Sequence, residues 1–388
     1  MVSRMEPGGP HCLRESHARG FIGIRANFRR KPVKTLLLAP DLFTGNGGIQ
    51  RILRLYLKAL CDLSGNADSV RFVSLNDACV DSAILGRYSG PRLVEWEACE
   101  KGKLRFCRAA LKMALRSDRI ICGHIAQLPV AWAASLIRPR LSYYLVAHGI
   151  EVWRPFTFLE QRALRRAKRI WCVSEYTRQQ LLRHAQVPAE RTAILHNALD
   201  PFLDPASPPP PPEGPPSILS ISRLTISDSY KGIGHLIAAM RAVLDQIPDA
   251  RLRIVGQGNG LEGLRALARE HGVSDAVVFA GFRSDPELVE EFAGSRLFAL
   301  PSEKEGFGLV FLEAMAHGRP CLGARSGGVP EVITDETGVL VEYGDVPGMA
   351  AAIVAALRRV WPMGPLLERA EMFSYLRFKE RFASLLVA

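Results

Sequence analysis

Two acids and two cations stand out by residue type and spacing. Glu305 and Glu313 lie eight residues apart in LPSEKEGFGLVFLEAMAHG, with Gly306 and Gly308 between them. Arg223 and Lys231 lie eight apart in SISRLTISDSYKG. An arginine fork and a lysine point charge together suit a diphosphate. A carboxylate that accepts two hydrogen bonds suits a vicinal diol such as that of a ribose. Glycines ahead of an apolar helix let backbone amides at its N-terminus approach an anion. Taken singly, the two cations read equally well as surface charges in a loop, and either glutamate as a solvated acid near a helix start.

The elements around these residues decide where they stand. RLFALP reads as a strand, SEKEGFG as a loop at its carboxyl end, and LVFLEAMAHG as a helix ended by Gly318. SILSISR reads as a strand that carries Arg223 past its end, and Lys231 just precedes the helix GIGHLIAAMRAVLDQI. RLRIVGQG, AVVFAGF, PCLGAR and GVLVEY continue the strands, with DPELVEEFAGS as a further helix. Upstream, VKTLLLAP is a buried strand, TGNGG a glycine turn and IQRILRLYLKAL a helix. RIICGHI, SYYLVAHG and RIWCVSEYTRQQLLRHA repeat the alternation, the last with a serine cap. Between the two series lies DPASPPPPPEGPPS, in which nine of fourteen residues are Pro or Gly, so it cannot continue a helix or a central strand.

This alternation predicts an α/β protein of two doubly wound, Rossmann-like domains facing each other across a cleft. The expected divisions are a basic flexible extension (1–31), a first domain (32–200), a proline-rich linker (201–217), a second domain (218–370) and a C-terminal helix (371–388) that packs back on the first domain. Ligands of such sheets bind outside the carboxyl ends of the strands, so the cleft is the expected site.

Composition is that of a soluble globular protein, with 48% apolar and 23% charged residues in 388. No apolar run reaches the roughly 18 residues of a membrane span, and the first twenty residues lack the apolar core of a secretory signal. Eight scattered cysteines with no CxxC pair indicate reduced thiols, so a cytoplasmic location is expected. The charge is divided unevenly. Residues 1–200 hold 32 Lys and Arg against 16 Asp and Glu, and residues 201–388 hold 18 against 23. A basic first half suits an anionic partner. QRALRRAKR (161–169) presents five cations on what reads as one exposed helical face, which fits attachment to an anionic inner membrane leaflet.

A dinucleotide fold is disfavoured. The glycines of IVGQGNG run G-x-G-x-G, Leu261 stands where the third fingerprint glycine would be, and AVVFAGF ends without the ribose-binding acid. A tight turn that lets a nucleotide approach backbone fits these glycines better. No helix-turn-helix, RNP motif or basic–aromatic interleaving supports nucleic acid as a partner.

Together GNGGIQRIL, HGIE, VSEYTRQQL, LHNALD, SRL…YKG, IVGQGNG, PSEKEGFGLVFLEAMAHGRP, SGGVPEVI and GVLVEYGD resemble the retaining, family-4 type of glycosyltransferase, over residues 33–345. The resemblance implies the two-domain GT-B fold and a nucleoside-diphosphate sugar as substrate, without a cofactor. It implies that Arg223 and Lys231 neutralise the donor's diphosphate, that Glu313 binds the ribose hydroxyls and that Glu305 stands beside the donor sugar. Phe307, Gly308 and Leu309 would supply amides around sugar and phosphate, and backbone near Phe282 and Arg283 would face the base. Gly48, with Gly47, belongs to the loop closing over the diphosphate, and His148 would contact the donor sugar. Retention by front-face attack is likewise implied.

Two points qualify the match. The interval from Arg223 to Lys231 is longer than in many relatives, so LTISDSY must bulge. No D-x-D occurs in the chain, so the metal-bound strategy is not expected and the cations would carry the electrostatics. His124 reads as a structural or acceptor-side histidine. The expected reaction moves a hexose from a UDP- or GDP-linked sugar to a lipid-linked or saccharide acceptor in surface-polysaccharide biosynthesis. An epimerase or phosphorylase of the same architecture is the alternative, and a nucleic-acid-binding protein a remote one.

Overall fold

The computed structural model describes residues 31–45, 47–203, 208–210 and 212–387. The extension expected over 1–31 lies outside them except for Lys31, as do 204–207 and 211 of the linker.

Seven parallel strands form the first sheet: β1 (Lys34–Ala39), β2 (Ser69–Ser74), β3 (Leu93–Ala98), β4 (Arg119–Cys122), β5 (Ser142–Ala147), β6 (Arg169–Cys172) and β7 (Thr192–Ile194). Their order across the sheet is β3-β2-β1-β4-β5-β6-β7. Six more, β8 (Ser217–Ile221), β9 (Arg251–Val255), β10 (Val277–Gly281), β11 (Leu297–Leu300), β12 (Cys321–Ala324) and β13 (Gly338–Val341), form a second parallel sheet in the order β10-β9-β8-β11-β12-β13. This is the expected pair of doubly wound sheets. Parallel strands covered by helices on both faces must be apolar throughout, and Leu36, Leu37, Leu38 and Leu297 are fully buried.

Strand order reverses between β1 and β4 in one sheet and between β8 and β11 in the other. The loops leaving neighbouring strands diverge there and open a crevice. Arg223 follows β8 and Glu305 follows β11. The glycine turn after β1 and Gly123 after β4 occupy the equivalent place in the first half.

Strands β2, β3 and β7 are absent from the series read in the sequence. β3, LVEWEA, is an edge strand that lacks a continuous buried apolar run: Val94 and Trp96 are exposed, and Glu95 and Glu97 are half-buried and ion-paired.

Two further arrangements join distant parts of the chain. The described linker carbonyls are tied to the second half, where Arg319, fully buried, donates from Nη2 to Pro209 O (3.0 Å) and Pro210 O (3.2 Å). Arg296 Nε donates to Pro212 O at 3.0 Å. The last helix, Tyr375–Val387, returns to the first half. Phe378 and Phe382 meet the Tyr56 ring edge-on at 5.1 Å each, and the Tyr375 hydroxyl donates to Asp62 at 2.7 Å.

Candidate active site

Lys231 ends a 3-10 turn, Ile226–Lys231, and Gly232 follows it in the left-handed region at φ +75. A Cβ on Gly232 would stand 2.3 Å from the carbonyl of Pro301, so glycine is what lets this turn lie against the end of β11. The turn delivers Lys231 Nζ to Glu305 Oε2 at 2.7 Å, with both side chains largely buried. Burial by itself would favour loss of the lysine proton, yet Glu305 holds the ammonium above its ordinary pKa.

Arg223 is 72% exposed, with Nε 3.2 Å from Asp228 Oδ2. Asp228 also accepts from the Thr225 hydroxyl at 2.7 Å. The long interval between Arg223 and Lys231 therefore folds as a 3-10 turn carrying its own acid. That turn packs on the glycine-rich loop after β9, where Ile226 N donates to Asn259 Oδ1 at 3.0 Å. A Cβ on Gly256 would lie 1.8 Å from the carbonyl of Ser222. In this loop the close approach of the chain's own backbone requires the glycine.

Gly308, at φ +99, is the N-cap of the helix Leu309–Ala316, and Glu313 projects from the helix's second turn. Glu313 Oε1 accepts from Arg51 Nη1 at 2.8 Å, and Arg51 Nη2 donates to Asp285 Oδ1 at 2.8 Å. Arg51 stands on the helix Gly48–Leu63 of the first half, so this ion pair crosses the cleft. The Phe307 side chain is 2% exposed, stacked on His196 and edge-on to Phe373. Only its backbone is left to a ligand. Phe282 is exposed, whereas the Arg283 side chain is drawn to Glu291, Nε to Oε1 at 2.8 Å.

The first half meets this group at the end of β5. His148 Nε2 lies 2.9 Å from the carbonyl of Gly123, so Nε2 carries the proton and Nδ1 is an acceptor with no partner among the described residues. Burial lowers the His148 pKa to about 4, and the ring is neutral at pH 7. Gly306 lies against the His148 carbonyl, and the Ser174 hydroxyl donates to Gly306 O at 2.7 Å. Gly47 caps the helix Gly48–Leu63. A Cβ on Gly48 would be 3.8 Å from Leu309 Cδ1, so the glycine turn reaches the helix start opposite.

Thus Lys231, Glu305, Gly308, Leu309 and Glu313 share one edge, with Gly48 and His148 brought to it from the other half. Arg223 stands apart from the Lys231–Glu305 pair, turned to Asp228. His124 caps a turn, its Nδ1 accepting from Ala126 N at 3.1 Å. The cations 161–169 do not form one helical face. Arg162, Arg165 and Arg166 are exposed on the helix Phe158–Arg166, but Lys168 lies beyond its end and Arg169 begins β6.

The sequence reading missed Arg51, Asp285 and Glu331. Glu331 accepts from Glu175 N (2.8 Å) and Tyr176 N (2.9 Å), capping the helix Glu175–His184 from the opposite half. Burial opposes its charge, but His196 and these amides hold the carboxyl below its ordinary pKa. For Arg51 a signal existed, since two arginines three apart interrupt the apolar helix IQRILRLYLKAL and both are buried.

Comparison with known proteins agrees with this architecture. Residues 47–201 match the model described as Glycosyltransferase Family 4, and residues 206–369 match that described as Glycosyl transferases group 1. The N-acetyl-alpha-D-glucosaminyl L-malate synthase of Bacillus anthracis is 37% identical over 150 residues, 38% of this chain and 39% of that protein. The GDP-mannose-dependent alpha-(1-6)-phosphatidylinositol monomannoside mannosyltransferase of Mycolicibacterium smegmatis is 33% identical over 286 residues, 65% of this chain and 73% of that protein. Among solved structures, Anabaena Alr3699/HepE in complex with UDP and glucose superposes with a TM-score of 0.75 at 21% identity, covering 92% of this chain and all of that one, a likeness of fold. With two adjoining family models and a relative matched over most of its length, the chain belongs to the group 1, family 4 glycosyltransferases of GT-B fold.

Proposed function

We propose that this protein transfers a hexose from a UDP- or GDP-linked sugar to a lipid-linked or saccharide acceptor, with retention of anomeric configuration. The observation that carries the reading is the buried Lys231–Glu305 pair beside the N-terminus of the helix Leu309–Ala316. The mannosyltransferase and the UDP-bound structure named above agree with a nucleoside-diphosphate sugar donor.

In this reading the donor's diphosphate lies against Lys231 and the amides of Gly308 and Leu309. Glu305 neutralises Lys231 while the site is empty. Arg223 leaves Asp228 to meet the phosphate, and Glu313 accepts the ribose hydroxyls. The neutral His148 offers its Nδ1 lone pair to a hydroxyl of the donor sugar. Transfer breaks the bond between the anomeric carbon and the phosphate oxygen while the acceptor oxygen bonds to that carbon from the same face. The acceptor's proton passes to the departing phosphate. Negative charge grows on that phosphate, and cations and helix amides stabilise it without reorganisation.

The acceptor side is the basic first half. The helix Phe158–Arg166 exposes Phe158 (69%) and Leu159 (51%) beside Arg162, Arg165 and Arg166, and the neighbouring helix Leu128–Ile137 ends with Leu136 and Ile137 exposed. Apolar side chains rimmed by arginines suit the cytoplasmic face of an anionic bilayer. Among the described residues no single helix is long and apolar enough to cross a membrane.

Thermal stability measured with UDP, GDP, ADP, NADH and a short duplex DNA tests the reading. A true ligand at a hundredfold its dissociation constant adds about 2.7 kcal/mol. Stabilisation by UDP or GDP, weakened but not abolished in Lys231→Ala, is expected. Stabilisation by NADH or duplex instead would overturn it.

A further inference from the structure

Arg51 is 8% exposed, and its guanidinium is divided between two acids of the opposite half, Glu313 and Asp285, each at 2.8 Å. Among the described ion pairs, only these and the His196–Glu331 pair join the two halves across the cleft. Burial would disfavour the charged guanidinium, yet Glu313, Asp285 and Asp200 together hold its pKa above the ordinary value. The arginine engages one oxygen of Glu313, Oε1, while Oε2 makes no hydrogen bond among the described residues.

We propose that Arg51 is a positioning residue that makes recognition of the donor's ribose conditional on closure of the cleft. The proposal rests on the reading of Glu313 as the acceptor of the ribose hydroxyls. A carboxylate serves a diol well when it is held in one rotamer, because an unfixed side chain loses conformational entropy on binding. Arg51 fixes the Glu313 carboxylate, and only when the two halves are together. Asp285 holds the second arm of the fork, so the guanidinium is fixed against the second half as a plane. Coupling of this kind is reciprocal: a ribose seated on a fixed Glu313 favours the closed state, as closure favours the ribose.

Isothermal titration of UDP and GDP and of their 2′-deoxy counterparts tests this on wild type, Arg51→Ala, Arg51→Lys and Asp285→Asn. Wild type is expected to bind one ribonucleotide at least several-fold more tightly than its 2′-deoxy form. In Arg51→Ala, ribonucleotide affinity is expected to fall roughly tenfold to a hundredfold, the range for a hydrogen bond to a charged group. The 2′-deoxy form should lose far less, so the preference collapses. Arg51→Lys, which keeps the charge without the fork, should lie between. A preference that survives in Arg51→Ala, or an equal loss for both nucleotides, overturns the proposal, since a merely structural role would weaken both alike. Should Arg51→Ala not fold, Asp285→Asn carries the test: a reduced preference supports the proposal and an unchanged one overturns it. Wild type that binds no nucleotide, or binds both forms equally, overturns the underlying reading of Glu313 instead.

Discussion

Gly306 and His148 are in backbone contact across the cleft: a Cβ on Gly306 would stand 1.9 Å from the His148 carbonyl oxygen. No side chain fits between the loop after β11 and the end of β5 while the halves are closed. Gly306→Ala is therefore expected to hold the halves apart. A displacement of about 1 Å at a reacting centre costs on the order of a hundredfold in rate, and kcat/KM for donor should fall by at least that much. Circular dichroism of the variant should be unchanged. Wild-type kinetics would show that the closed arrangement is not the reacting one.

In the proposed reaction, Lys231, buried and fixed by Glu305, takes charge from the leaving phosphate. Lys231→Ala is expected to lower kcat by roughly a hundred- to a thousandfold, the usual cost of removing one preorganised transition-state contact. Single-turnover assays with saturating donor measure this apart from binding. Arg223, mostly exposed, should show a smaller loss.

The neutral His148 makes stability fall in mild acid. In the unfolded chain the imidazole takes up a proton below its ordinary value of 6.5, whereas in the native state it does so only near 4. Between these values the unfolded state binds more protons, so stability rises with pH across that window. The loss begins as pH drops through 6.5 and is complete near 4, amounting to about 3 kcal/mol at most. Urea titrations at pH 7.5 and 4.5 should show this loss, reduced in His148→Asn. An equal loss in the variant would assign the acid sensitivity to other groups.

Phe158 and Leu159 are expected to enter an anionic bilayer. Sedimentation with vesicles containing phosphatidylglycerol should bring down wild type in low salt, and Phe158→Ser with Leu159→Ser should weaken binding by roughly tenfold or more, as the loss of two exposed large apolar side chains implies. Binding that the double variant retains in full would remove this helix from the membrane contact.

The placement of Lys231, Glu305, Gly308 and Glu313 along one edge was legible in the sequence because each lies just past a strand or near a helix start. Apolar runs, glycines and caps report those boundaries locally. The interval from Glu305 to Glu313 and the placement of Arg223 and Lys231 follow from the same local order. Two doubly wound sheets were readable for the same reason, and only strands with mixed faces, such as β3, escaped.

Contacts between residues far apart in sequence left no such trace. Arg51 lies 262 residues from Glu313, and Glu331 lies 156 residues from the helix it caps. The sequence shows that Arg51 interrupts an apolar helix but not what it meets, since that depends on how the halves close. Likewise the sequence determined that Arg223 and Lys231 share one strand end. Only the tertiary structure decided that Lys231 turns to Glu305 and Arg223 to Asp228, because a charged side chain goes to whichever opposite charge the packed backbone leaves within reach.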